Sequence, residues 1–253
     1  MPVLGILTCE ILELEFAHLL RSDSEIRKIT VIEDDYSAEL IRLLAKEDLP
    51  LDRIKKSEDF VRGLPEGLEI LIRVLELGLH NRKRLLQEGL AAAGKEMGPR
   101  VDAILLGYGL CGNALADPVA LLAEAGVPVF IPMDEDHPVD DCVGLIIGGR
   151  EAYYEEQCRV AGTFFMIPGW TRHWKHIFRK EHGGWSEELA RRLFTGSGYE
   201  RSLLVPNGLL TEAEMRVNIE EFNRMFGFRT ETRAGSIELL IQAWDAAKQS
   251  LRG

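Results

Sequence analysis

Short, almost continuous apolar runs alternate with stretches whose apolar residues recur every three or four positions. Over the first two thirds of the chain this alternation predicts βαβ units and a parallel sheet. Residues 3–8 form a first predicted strand, and 10–21 a helix anchored by Ile11, Leu14, Phe16 and Leu19. A second strand at 28–33 leads to a helix over 36–44, and the charged stretch 46–59 predicts an exposed loop or short helix. Residues 68–77 are too densely apolar for periodicity to separate strand from helix. A helix over 80–95 places Leu85, Leu86 and Leu90 on one face, and strands at 101–106 and 127–131 flank a helix over 115–125.

Further on, 142–147 and 150–157 read as a helix broken or bent at Gly148-Gly149, and 163–167 as a strand stopped by Pro168-Gly169. The last third predicts helices at 170–180, 187–194, 211–226 and 236–250, with one strand at 201–205. Thr211 and Glu214 have the spacing of a capping box, hydroxyl at the N-cap and carboxylate three residues on. The expected fold is α/β: an open, mostly parallel sheet with helices on both faces (Rossmann-like, three layers) and a helical C-terminal layer. We expect a single domain over 1–253, with residues 1–167 as its core and 168–253 mostly helical.

Composition narrows the class. The chain has 253 residues, 46% hydrophobic and 28% charged, ordinary for a soluble globular protein. A net charge of −11 argues against general nucleic-acid binding, which needs a basic face. No apolar stretch approaches the length of a membrane span, and Met1 to Gly5 run into a strand without a basic leader. Four cysteines without a CxxC pair fit reduced thiols, hence a cytoplasmic protein, better than disulfides or a zinc ribbon.

Three of those cysteines follow predicted strands: Cys9 after the first, Cys111 after 101–106, Cys142 through an acidic loop after 127–131. The carboxyl ends of parallel strands line one crevice, so three thiols distant in sequence could converge there. Thiolates bind zinc and iron–sulfur clusters. The alternative is that each cysteine packs as a small hydrophobe. Cys158, within a predicted helix, is read as packing.

Around these thiols lie other candidate groups. Tyr108-Gly109-Leu110-Cys111-Gly112-Asn113 follows a strand, and its glycines allow close backbone approach to a ligand. Its glycine spacing and the absence of a suitably placed acidic residue argue against dinucleotide binding. His80-Asn81-Arg82 could hold an anion at a helix N-terminus, or Asn81 could be only a cap. In the acidic loop 133–142, His137 and Cys142 could ligate a metal, or the loop could be a solvated cap. Arg172, His173, Lys175, His176, Arg179 and Lys180 form a basic stretch beside Trp170 and Trp174, read as a solvated helix face with the tryptophans as core anchors, and otherwise as an anion-binding lid.

In combination, several of these motifs resemble the family called domain of unknown function 1638. They are Cys9; Leu79-His80-Asn81-Arg82; Tyr108-Gly109-Leu110-Cys111-Gly112 with Asp117; Asp140-Asp141-Cys142; and Gly162 through Trp170. Two positions depart from the pattern: Lys83 replaces a proline, and Asp140 stands where many members have histidine. The resemblance implies an α/β fold with a shared cysteine-bearing site. The family's association with corrinoid-dependent methyltransferases implies one-carbon metabolism.

Together these readings lead to an expected metal site. Cys9, Cys111 and Cys142 would hold zinc or a 4Fe–4S cluster with one coordination position open, for Lewis-acid or redox chemistry on a small molecule. His80 and Tyr108 would be the catalytic groups, Tyr108 as proton donor, and Asn81, Arg82 and Asn113 would bind substrate. The rival is a metal-free accessory protein that holds a corrinoid-type cofactor or a partner protein, with structural cysteines. A third reading makes Cys111 a nucleophile activated by His80.

Overall fold

The computed structural model describes residues 2–46, 50–63, 66–76, 82–111, 114–183 and 185–252. Six parallel strands build its main sheet: β1 (Val3–Cys9), β2 (Ile26–Ile32), β3 (Leu51–Ile54), β4 (Leu68–Leu75), β5 (Ala103–Gly107) and β6 (Val129–Phe130). Their order is β3-β2-β4-β1-β5-β6. Chain connections run through α1 (Glu13–Ser22), α2 (Ala38–Leu44), α3 (Lys83–Met97) and α4 (Pro118–Leu121). Parallel crossovers are right-handed. Connections running toward β3 therefore carry α1 and α2 on one face, and those running toward β6 carry α3 and α4 on the other. The expected open three-layer α/β fold is the one observed.

The densely apolar 68–77 run resolves into β4, between β2 and β1. A strand covered on both faces has no polar side, so it loses the alternation that would have identified it. The charged 46–59 stretch contributes β3, at the sheet edge, where solvent explains its polarity; Lys28–Asp52 and Lys55–Glu33 ion pairs flank it at 3.0 and 2.9 Å. The helix expected over 115–125 is only α4 followed by a single 3-10 turn.

Beyond β6 comes a small hairpin of β7 (Met133–Asp134) and β8 (His137–Pro138), then α5 (Cys142–Ile147) and α6 (Arg150–Arg159). The remainder departs from a helical layer. β9 (Thr163–Met166), β10 (Arg201–Leu204) and β11 (Arg229–Thr232) form a second parallel sheet, in the order β11-β10-β9. With α7 (Pro168–His182), α8 (Glu187–Gly196) and α9 (Glu212–Phe226) they make a second α/β lobe. Its separate core is rich in aromatic residues, with Phe164 within 5.1 Å of Phe222 and 5.6 Å of Trp170. α10 (Glu238–Ser250) returns to the first lobe, packing on β5 and β6. No described helix is long and apolar enough to cross a membrane.

Candidate functional site

The connections of β1 and β5 diverge to opposite faces, which makes the carboxyl ends of these neighbours the switch point where open α/β sheets bind ligands. Cys9 ends β1 and is buried, while Cys111 and Cys142 are half-buried and Cys158 is exposed. Residues 108–111 leave β5 in a tight turn with Cys111 at φ +49°, a left-handed conformation unusual for a side chain with a Cβ. Leu110 N–H donates to Val139 O at 2.9 Å. A Cβ on Gly109 would lie 2.5 Å from Val139 O and 2.8 Å from Asp141 Cα, so glycine is what lets this turn reach the 139–141 loop.

That contact brings Asp141 and Cys142 beside the turn. Asp141 caps α5, its Oδ1 accepting from the N–H groups of Val143 and Gly144 at 2.8 Å each. Tyr153, on α6, donates its hydroxyl to Asp141 Oδ2 at 3.3 Å. Burial raises the Asp141 carboxyl above its usual range despite these donors.

Neutral thiols result from this packing. Burial pushes Cys9 up to about 12, with the charges of Glu10 and Glu13 adding. Burial likewise lifts Cys111 to about 12, helped by Cys9 and Asp141. Cys142 is raised well above an ordinary thiol by burial, then by Asp141, Cys111 and Cys9. The three thiols therefore share one neighbourhood. Tyr108 is 5% exposed; among the described residues its hydroxyl has no nitrogen or oxygen partner, and it turns to the Cys9 thiol. Burial, then the neighbouring thiols, raise its pKa well above that of a free phenol, so at neutral pH it is a hydroxyl.

The expected metal centre is overturned. Among the described residues, no group of three or more histidine, cysteine, aspartate or glutamate side chains is placed to hold a metal ion. Cys9, Cys111 and Cys142 are neighbours without being a ligand set, so neither zinc nor a 4Fe–4S cluster is supported there. The physical reason is their packing among apolar groups, which favours the protonated thiol over the thiolate that metals require. The same shift opposes Cys111 as a nucleophile, which needs a depressed pKa. His137 is exposed on the β7–β8 hairpin.

The other expected residues are placed as follows. Arg82 is exposed at the N-cap of α3, where it makes no side-chain capping bond. His80, Asn81 and Asn113 lie outside the described residues. Arg172 and His173 are half-buried and turn toward α1, whereas Lys175, His176 and Arg179 are exposed. Trp174 is buried in the second core, as its reading as an anchor required.

Asp141 belongs to the Asp140-Asp141-Cys142 motif read from the sequence and caps α5; sequence reading missed Tyr153, Glu13 and Glu15 as parts of this region. The last two are 1% and 0% exposed. Buried carboxylates leave little mark on a periodicity pattern. The one available signal was two acids inside an otherwise apolar helix face. Beyond Asp141, a cleft of about 750 Å³ opens, lined by Asp134, Glu135, Asp140, Arg150, Tyr153 and Tyr154 among others.

The profile of a family described as "Protein of unknown function (DUF1638)" matches residues 74–244. The chain belongs to this family. No curated protein matches it in sequence. A solved structure described as a candidate Asp/Glu racemase from Yersinia pestis is similar at 11% identity and a TM-score of 0.31, over 99% of this chain and 100% of that one.

Proposed function

We propose that this DUF1638 protein is a metal-free binding protein of a reducing cytoplasm, which holds a small molecule or the cofactor of a partner in the crevice above β1 and β5. The carrying observation is the Tyr108 hydroxyl, buried at the divergence of the two strand connections, facing the weakly bonding Cys9 thiol and lacking a nitrogen or oxygen partner among the described residues. Such a group costs folding free energy unless something accepts or donates to it. Four unpaired cysteines support the reducing compartment. The described surroundings are acidic, with Glu10 and Asp141 acting on the site residues, so an uncharged or cationic occupant is favoured over an anion. On the resemblance alone, a corrinoid-type cofactor, free or on its carrier protein, is the first occupant we would try.

Titration of the full chain with hydroxocobalamin, read by tryptophan fluorescence, tests this, with Tyr108→Phe in parallel. Saturable binding weakened about tenfold in Tyr108→Phe, the worth of one hydrogen bond, is the expected result. Binding indifferent to that change places the occupant elsewhere. No binding of the corrinoid, either free or on its carrier, removes this occupant from the reading.

A further inference from the structure

The second lobe meets the first through apolar side chains, Ile167, Ile177, Leu203 and Val205 joining the first core, and through a rim of charged ones. Ile11 lies in the 3-10 turn after β1, and a Cβ on Gly169 of α7 would fall 1.9 Å from its carbonyl oxygen, so the two backbones meet directly. From α7, Arg172 Nη1 reaches Glu13 Oε1 at 3.2 Å, and His173 Nε2 reaches the same oxygen at 2.8 Å. Arg172 also bonds Glu39 on α2, which Arg42 pairs from its other side. Asn207, in the loop after β10, donates to Glu15 Oε1 at 2.7 Å. The second carboxyl oxygen of Glu15 is buried and, among the described residues, has no partner within hydrogen-bond geometry.

We propose that this seam is a proton-operated clasp: Glu15 and His173 hold protons while the lobes are together and release them as the lobes part. The charge balance supports this. Glu13 faces both Arg172 and His173, so a protonated His173 is met by a buried carboxylate. Glu15 faces Asn207, a neutral group, with Glu13 and Arg172 as its nearest charges. An ionised Glu15 would thus be a buried charge with one oxygen unsolvated, whereas a neutral one leaves only a weaker unmet polar group.

Both groups titrate in the direction the clasp needs. Burial pushes Glu15 up to about 7, the Glu13 charge adding and the bonds from its own backbone and Asn207, with the Arg172 charge, opposing. A solvated carboxyl titrates near 4.5, so closure is favoured below that value, and the advantage is lost progressively as pH rises to about 7. For His173, burial pulls the imidazole down and Arg172 does so further. The Glu13 bond and charge, with Glu10, outweigh them and leave the pKa raised. Its contribution is complete below 6.5 and is lost as pH climbs through the raised value. An acid and a base therefore loosen the seam together on the alkaline side.

Hydrogen exchange on the ligand-free full chain at pH 5.5 and 8.5, corrected for intrinsic exchange, reads this directly. Protection in the first turns of α7 and at 206–209 is expected to fall tenfold or more at the higher pH, while α3, remote from the seam, keeps its protection. In Glu15→Gln, which keeps the shape and removes the ionisation, most of that fall disappears. Equal protection at both pH values in the natural chain overturns the clasp, as does a loss shared equally by α3, or an unchanged fall in Glu15→Gln. Chemical shifts of the His173 ring in the natural chain supply the control that needs no variant: a midpoint at or below 6.5 also overturns it.

Discussion

A buried thiol is defined by its neighbours more than by its sulfur. Cys9 and Cys111 are both pushed to about 12 by burial, and Cys142 well above the ordinary thiol range by the same cause. At neutral pH each is a small apolar group, which is how it packs, and only a minute thiolate fraction is present. Cys158 is exposed on α6, outside this region. Iodoacetamide should therefore label Cys158 first. The other three should react slowly, with rates that climb about tenfold per pH unit through pH 9 and show no plateau. Peptide mapping after timed alkylation checks both features. A plateau below pH 9 at Cys111 would reinstate an activated thiol and count against the packing argument.

Elements place those residues through backbone contacts that side-chain patterns do not announce. The turn after β5 touches the 139–141 loop because position 109 has no Cβ. Gly109→Ala would force that turn away from Val139 and Asp141 by steric overlap with main-chain atoms that cannot rotate aside. We expect a loss of about 1–3 kcal/mol, read in urea unfolding, together with faster alkylation of Cys111 and Cys142. Unchanged stability with unchanged thiol reactivity would show that the loop contact is dispensable.

The strands carrying the crevice were legible in the sequence, since β1, β2 and β5 are apolar runs followed by breaks or helical periodicity. β4 was ambiguous because burial on both faces erases alternation. β3 and β11 were hidden because edge strands carry charge: Arg229-Thr230-Glu231-Thr232 has no apolar residue to announce it. Cys9 at the end of β1 and Cys111 in the turn after β5 stand where the strand reading put them. The failure of the three cysteines to form a ligand set was not legible, because coordination depends on positions within an ångström or so, which no spacing along the chain encodes. In α1 the anchors Phe16 and Leu19 are buried as expected, but Leu14 is only partly buried while Glu13 and Glu15 on either side of it are covered. The helix meets a second lobe on that side, so a polar residue there faces protein instead of water.

At the scale of the molecule, two sheets carry two apolar clusters, and their seam combines ion pairs and the Asn207–Glu15 bond with apolar contacts of Ile167, Ile177, Leu203 and Val205 to the first cluster. The aromatic cluster of the second lobe is distinct from the first, and distinct clusters need not melt together. Phe222 is 1% exposed and packs against Phe164, Trp174, Phe226 and Phe228, so truncating it removes the centre of the second core and nothing from the first. Phe222→Ala is expected to destabilise the second lobe by about 3–5 kcal/mol, the usual cost of a large aromatic cavity. Tryptophan fluorescence reports mainly that lobe, because Trp170, Trp174 and Trp185 all lie in 168–196 while Trp244 sits in the first core. In urea, the fluorescence transition of the variant should move well below the loss of far-ultraviolet circular dichroism, leaving the six-stranded sheet folded between them. A single coincident transition at a lower urea concentration would show instead that the seam couples the lobes into one cooperative unit, through the apolar contacts of Ile167, Ile177, Leu203 and Val205 as well as its ion pairs and the Asn207–Glu15 bond.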